Sequence, residues 1–384
     1  MFFEYLKGQQ QMNLQINRQL NGLHDNPKVK QDLKVVIPQI QDEESWFSAW
    51  QTVGEKRERQ ADFALACAYF ALAQFYLNKH DSRKKVTVHR YLNNFYRSHP
   101  GLNYVEYKVP YENSYLPALK VVVNPGAHKT LLIINGFDSF MEKILAVTDF
   151  FKGTDYNLIL FDGPGQGRAL IDNGILFTPY MEKAVTQLLD YFELQEVDAL
   201  GVSWGGYFVI RAAAYEKRIK QVICFDFFYD GLNVFLNGLP SETKERLRSA
   251  LEQGNETSVE KLLKPFIQTN ADLKFKLNKG FENTGTKTLC SLLKQIALHN
   301  VSGLGKKVTA DVLLLAGSKD QYVPFQDLAL EQAELRSARS LTTKIFTEKT
   351  GGEQHCQAGR YDLALNAVRI FLNQPALPGH ETSI

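Results

Sequence analysis

Ser203 stands in Gly201-Val202-Ser203-Trp204-Gly205, after the mostly apolar run 197–200 and before a helix-like run over 207–215. A serine flanked at two residues on either side by glycine, where a strand passes into a helix, has the pattern of a nucleophile elbow. Such a junction turns sharply, and side chains at the flanking positions would meet neighbouring backbone, which is why both are glycine. The turn lifts the hydroxyl out of the sheet. The following helix aims its first N–H groups and its positive end at the same spot, which suits a developing oxyanion. The competing reading is a tight structural turn without chemistry, and the strand before and helix after weigh against it.

A serine hydroxyl is a poor nucleophile at neutral pH. It needs an imidazole base, and the imidazole needs a carboxylate to fix its tautomer and stabilise its cation. Downstream of an elbow of this kind the acid is expected first and the histidine second. Asp320 lies in Gly317-Ser318-Lys319-Asp320-Gln321, directly after the apolar run 312–316. Asp327, at a helix start, and Glu348, close to a strand end, are weaker candidates. His355 lies in Gly351-Gly352-Glu353-Gln354-His355-Cys356, after the last apolar run at 344–346. Its glycines let the loop carry the ring towards the serine. His128 and His299 lack both the order and the strand context.

The oxyanion needs two backbone donors: the N–H of Trp204 and one from the loop after the third strand. That loop is Asn135-Gly136-Phe137-Asp138, in which Gly136 permits the turn, the Phe137 N–H is the expected donor and Asp138 is a candidate for site support. Ser139-Phe140-Met141-Glu142 fits a capping box, so Glu142 is expected to start a helix before it does chemistry. Asp162-Gly163-Pro164-Gly165-Gln166-Gly167 matches neither a dinucleotide fingerprint nor a Walker motif, and reads as a tight structural loop near the site. Phe227, Phe228 and Tyr229 follow another strand end. They either line an apolar acyl pocket or form the root packing of the segment that follows.

These residues need elements to position them. Short apolar runs at 130–134, 157–161, 197–200, 221–225, 312–316 and 344–346 alternate with helical stretches at 141–151, 179–192, 207–217, 326–338 and 360–372. Nearly continuous apolar strands between helices mark a parallel sheet buried on both faces, so the fold class is α/β, doubly wound and mostly parallel. Half-exposed strands are expected at 104–109 and 120–124, across a turn at Glu112-Asn113. Residues 1–102 read as an N-terminal helical segment, with Trp46, Trp50, Phe63, Cys67 and Phe70 near helical spacing. The alternation fails over 230–306, a charged, helix-prone stretch with helices expected at 242–255 and 259–275, the second broken or kinked at Pro265. It reads as a lid above the strand C-termini, where ligands bind in such sheets. The core resumes over 307–374, after its first part at 103–229, and 375–384 reads as a tail. The N-terminal segment and the lid are expected to close over Ser203 and exclude water.

The chain has 384 residues, 44% of them hydrophobic, and a formal net charge of +2. Neither nucleic acid nor an acidic membrane is called for by that balance. Four cysteines without a C-x-x-C pair indicate neither a zinc site nor a disulfide scaffold. The start of the chain lacks the pattern of a signal peptide, and its most apolar early stretch is too short to span a membrane. The expectation is a cytoplasmic protein with a small-molecule substrate and with no metal or organic cofactor.

NGFDSFMEK from 135, FDGPGQG from 161, GVSWGG from 201, AGSKD from 316 and GGEQHCQAG from 351 together resemble the α/β-hydrolase superfamily. More narrowly, they resemble its branch with an N-terminal helical segment. That branch includes FrsA-like esterases, acylaminoacyl-peptidase-like proteins, fungal pigment-pathway polyketide-shortening hydrolases and a pseudooxynicotine C–C hydrolase. The resemblance spans about 45–374. It implies Ser203 as nucleophile, Asp320 as acid, His355 as base, and Trp204 and Phe137 as oxyanion donors. Glu142 matches an acidic position in the oxyanion loop of the branch, whereas Asn135 stands where many members have His or Gly. A homodimer paired through the helical segment is compatible with the resemblance. Members differ in the bond they cleave, so ester or thioester hydrolysis, C–C cleavage of a β-dicarbonyl, acylaminoacyl-peptide cleavage and acyl transfer stay open. A non-catalytic scaffold used for binding is the reading outside enzymes.

Overall fold

Apolar side chains recur at helical spacing early in the chain. The computed structural model, which describes residues 3–145, 147–373 and 382–383, resolves that pattern into five helices. They are α1 (Gln10–Gln19), α2 (Pro27–Val36), α3 (Glu43–Arg59), α4 (Phe63–Ala73) and α5 (Ser82–Ser98), within a first structural unit, Met1–Leu102. Asn26 caps α2 ahead of Pro27, and Asp42 and Ser45 cap α3 reciprocally. Both devices satisfy N–H groups that a helix start leaves open. Trp46 and Trp50, one turn apart on α3, are fully buried, and the Trp50 ring lies 5.5 Å from that of Tyr69. Buried Asp32 is held by Arg57 at 2.6 Å and by the Tyr69 hydroxyl at 3.0 Å. A charge in such a core persists only with partners of this kind.

The second unit, Asn103–Ile384, is built on a nine-stranded sheet. Its strands are β1 (Tyr104–Tyr111), β2 (Ser114–Val121), β3 (Lys129–Ile134), β4 (Tyr156–Phe161), β5 (Val197–Val202), β6 (Ile219–Phe225), β7 (Asp311–Gly317), β8 (Ser340–Phe346) and β9 (Thr382–Ser383). The order is β1-β2-β4-β3-β5-β6-β7-β8-β9. The pairs β1–β2 and β2–β4 are antiparallel, and all the others are parallel. β2 runs earlier than the 120–124 expected from sequence. The pairing of Tyr111 with Ser114 closes the hairpin tightly, and Leu116, Ala118, Leu119 and Val121 are among its buried residues. Apart from β9, the tail at 375–384 lies outside the described residues.

Helices α6 (Met141–Leu145), α7 (Gly167–Ile171), α8 (Met181–Tyr191) and α9 (Gly205–Tyr215) follow β3, β4 and β5 in the chain. The single helix expected over 141–151 is instead short α6 and a separate 3-10 turn, Thr148–Phe151. Between β6 and β7 come α10 (Gly231–Phe235), α11 (Ser241–Glu252), α12 (Glu256–Thr269), α13 (Ala271–Thr284) and α14 (Leu289–Ala297). Pro265 sits on an exposed face inside α12 and does not end it. The break falls at Asn270, whose side chain accepts from the Leu273 N–H at 3.0 Å and so starts α13. The last two helices are α15 (Asp327–Glu334) and α16 (Tyr361–Asn373). The inner faces of the insertion, including Phe235, Leu247, Leu263 and Ile296, join the same hydrophobic core as the sheet. Among the described residues no helix is long and apolar enough to cross a membrane.

Candidate active site

Every residue singled out for chemistry lies past the C-terminal end of a parallel strand, where a doubly wound sheet presents its loops. Ser203 follows β5 directly and takes φ +60°, a left-handed conformation that costs a non-glycine residue about 1–3 kcal/mol. Its N–H donates to Phe225 O at 2.7 Å, which ties the turn to β6. The flanking glycines are there because space is absent. A Cβ on Gly201 would lie 1.9 Å from Gly205 O, and one on Gly205 would lie 2.5 Å from Ile134 O.

The Ser203 Oγ lies 2.8 Å from His355 Nε2. On the far side of the ring, His355 Nδ1 lies 2.7 Å from Asp320 Oδ2. The histidine is 6% exposed and the Asp320 carboxyl 0%. The other oxygen of Asp320 accepts from the Tyr322 and Val323 N–H groups at 2.6 and 2.9 Å, which leaves Oδ2 for the ring. The Tyr322 ring meets the imidazole edge-on at 4.9 Å. Burial pushes the His355 pKa down, but the adjoining Asp320 carboxylate outweighs it and the net direction is well above the usual value. The loop bends back after the ring because Cys356 and Gln357 both adopt left-handed backbone, at φ +48° and +52°.

The loop after β3 comes against the serine. A Cβ on Gly136 would lie 3.0 Å from Ser203 Cβ and from Val202 O, so a side chain there would press on the serine turn, whereas glycine lets the loop approach without displacing it. Among the described residues neither the Phe137 nor the Trp204 N–H donates to a backbone acceptor outside the regular elements. The Phe137 ring stacks on Trp204 at 5.0 Å. This loop is clamped by the glycine-rich segment after β4. Gln166 Nε2 donates to Asn135 O at 2.6 Å and to Gly136 O at 2.9 Å. Asp162 accepts from Asn135 Nδ2, from the Met141 N–H and from the Arg168 N–H. From the insertion, Asn283 Nδ2 donates to Phe137 O at 2.7 Å. The expected Ser139 cap therefore gives way to Asp162, which takes the first N–H of α6. Glu142 is fully buried, with Arg168 Nη2 at 3.3 Å, and Asp138 is half-buried in the loop.

Phe227 and Phe228 are buried in the core, with Phe228 4.5 Å from the Trp204 ring, and Tyr229 is partly buried beside them. Of the weaker candidates, His299 is fully buried and stacked on Phe177 at 4.8 Å, where burial lowers its pKa to about 3. Asp327 accepts from Asn233, Glu348 pairs with Lys319 and His128 pairs with Asp155. None of these joins Ser203.

Asp226 was missed by the reading from sequence. It directly follows β6, inside the aromatic run 225–229, and is 0% exposed. It accepts from the Cys356 N–H at 2.9 Å and lies 3.8 Å from His355 Nδ1. Its neighbours in the chain are aromatic, and no local pattern marks the one carboxyl among them. Asp226, His355 and Cys356 bring one potential metal-ligand atom each to within 4.8 Å of one another, but His355 Nδ1 is already engaged by Asp320 and Cys356 Sγ lies 3.6 Å from Phe225 O.

No family model matches the chain. Alpha/beta hydrolase psoB of Aspergillus fumigatus is 31% identical over 242 residues, 52% of this chain and 53% of that protein. Hydrolase acrC of Aspergillus aculeatus is 27% identical over 53% of this chain and 59% of that protein. The match thus spans about half the length of these curated relatives. Two solved structures align over nearly the whole chain. The 2,6-dihydroxy-pseudo-oxynicotine hydrolase has a TM-score of 0.68 at 18% identity, covering 95% of this chain and 98% of its own. AbyA5 has 0.69 at 17%, covering 95% of each. What these findings define is the fold class, that of the α/β-hydrolases. Fungal proteins named as hydrolases are thus among the relatives of this chain.

Proposed function

We propose that the chain is a serine hydrolase that forms an acyl-enzyme on a small to medium, largely apolar ester or thioester. The observation that carries this reading is the unbroken line from Ser203 Oγ to His355 Nε2 at 2.8 Å and from His355 Nδ1 to Asp320 Oδ2 at 2.7 Å. His355 takes the serine proton as Oγ attacks the carbonyl carbon. Asp320 stabilises the resulting imidazolium, which then gives the proton to the leaving oxygen or sulfur. Phe137 and Trp204 N–H groups hold the oxyanion. Water attacks the acyl-enzyme by the same route in reverse. The rings of Phe137 and Trp204, with Phe235 packed edge-on against both, suit an apolar acyl group. The direct test is mass analysis of products from a panel of esters, thioesters and β-diketones, with Ser203→Ala as control. Acid plus alcohol or thiol supports the reading; acid plus ketone, from the diketones alone, would move it to C–C cleavage with the same residues.

Two further outcomes follow from the geometry. His355 must be neutral to accept the serine proton, and its pKa is raised, so activity is lost as pH falls through that raised value. The acidic limb of kcat/KM is therefore expected above the ordinary histidine range near 6.5. A limb at or below that range would show that Asp320 does not dominate the ring. Gln166→Ala removes both anchors of the Asn135–Gly136 carbonyls. It is expected to lower kcat by about 10–100-fold with little change in KM, since it loosens a donor needed mainly in the transition state. Steady-state kinetics showing the loss in KM alone would assign Gln166 to ground-state binding instead.

A further inference from the structure

We propose that Asp226 is the second half of the acid limb: a positioning residue behind Asp320, which braces the His355 loop and stands as a reserve carboxyl for the imidazole. The inference rests on the reading of Ser203, His355 and Asp320 given above. Two carboxyls from the ends of adjacent strands converge on one nitrogen. Asp226 leaves β6, between the strands that carry Ser203 and Asp320. Its Oδ2 lies 3.8 Å from His355 Nδ1, against 2.7 Å for Asp320 Oδ2. Both carboxyls are 0% exposed. The same Oδ2 accepts from the Cys356 N–H at 2.9 Å, and Oδ1 lies 3.4 Å from Gln357 Nε2. Asp226 thus grips the two left-handed residues that turn the His355 loop.

Among the described residues, His355 is the one cationic partner of either carboxyl. Two buried carboxyls on one imidazolium cannot both be ionised, so one proton stays in the pair. Asp226 holds it. Burial, and then the Asp320 charge, push its pKa well above the usual carboxyl range. Asp320 is also penalised by burial, but His355 and the hydrogen bond from Asp226 bring it below the usual value. The resting arrangement is a neutral Asp226 donating to an ionised Asp320, which in turn faces the ring. The titratable groups that face Asp226 are Cys224 from β6, Asp320 from the β7 loop, and His355 and Cys356 from the β8 loop.

When Asp320 loses its charge, burial still opposes ionisation of Asp226, but the repulsion from Asp320 is gone and the imidazolium pulls the other way. Asp226, with Oδ2 3.8 Å from Nδ1, then becomes the carboxyl that can ionise beside the ring and support the imidazolium in its place. A residue that only braced the loop would not respond to the charge at Asp320.

The test is a cycle of Asp226→Asn, Asp320→Asn and the double variant. Its readouts are the rate of Ser203 labelling by a fluorophosphonate and the hydrolysis of a p-nitrophenyl ester, both followed across pH. Asp226→Asn alone is expected to cost less than about 5-fold, Asp320→Asn about 10²-fold and the double variant about 10⁴-fold, the loss typical of a serine site without its acid. Asp320→Asn should also show a pH limb that the double variant lacks. Equal costs of Asp226→Asn in both backgrounds, with no such limb, overturn the proposal. Asp226→Ser replaces Asn should the Asn protein fail to fold, as read by thermal melting. Labelling of Ser203→Ala at the wild-type rate would instead overturn the serine reading and this proposal with it, so the two failures are distinguishable.

Discussion

Ser203→Ala is expected to lower kcat by about 10⁴–10⁶-fold while leaving the fold intact. At the upper end this is a loss of about 8 kcal/mol of transition-state stabilisation. The size follows from the proposed mechanism, in which the three residues act as one unit. His355 has no proton to take once the hydroxyl is gone, and Asp320 has no developing cation to stabilise, so one substitution disables all three. What survives is binding and the oxyanion donors, which can assist water only weakly. Folding should not suffer, because Ser203 is only partly buried and its Oγ faces the imidazole rather than the core. Alanine also tolerates the strained φ of +60° about as poorly as serine does. Fluorophosphonate labelling, followed by intact mass, checks the expectation. An unchanged adduct on the alanine protein would remove Ser203 from the role assigned to it.

Gly201→Ala is expected to act by the opposite route, through the fold. The new methyl group would be 1.9 Å from Gly205 O and 2.3 Å from the Gly205 carbonyl carbon. Both are backbone atoms at the start of α9, so no side chain can rotate out of the way. Either β5 or α9 must move, and Gly205 is itself pressed against Ile134 O at the end of β3. The strain therefore spreads into three elements of the core. A loss of about 4 kcal/mol or more is expected, the range reached when buried backbone has no room to relax. For a unit of this size that is a fall of roughly 10 °C in melting temperature. Calorimetry of the variant tests it. A melting point within a degree or two of wild type would mean that the elbow has slack the geometry does not show. Ser203→Ala and Gly201→Ala thus separate chemistry from architecture at positions two residues apart.

Much of the fold was legible because it repeats. Apolar strands buried on both faces read as continuous runs, and β3 to β8 fall where those runs lie, to within a few residues. Boundaries failed where local signals competed. Pro265 looked like a helix end, but a proline on an exposed face leaves α12 intact, whereas the capping side chain of Asn270 does end it. The box at Ser139–Glu142 looked self-sufficient, but Asp162 reached the first N–H of α6. That contact joins residues 21 positions apart in the chain, beyond any local pattern.

Ser203, Asp320 and His355 could be singled out from the chain alone because each occupies a loop of defined kind after a strand of defined kind, in a fixed order. Backbone rules of glycine, strand and turn act over a few residues and leave their mark in the text of the sequence. Asp162, Gln166, Asn283 and Asp226 obey no such local rule. Gln166 clamps the Asn135–Gly136 loop and Asp226 approaches His355 because β4 lies beside β3 and β6 beside β7. Which strands become neighbours is settled by how the whole core packs. Hydrogen bonds between loops of adjacent strands therefore came into view only once the sheet was assembled.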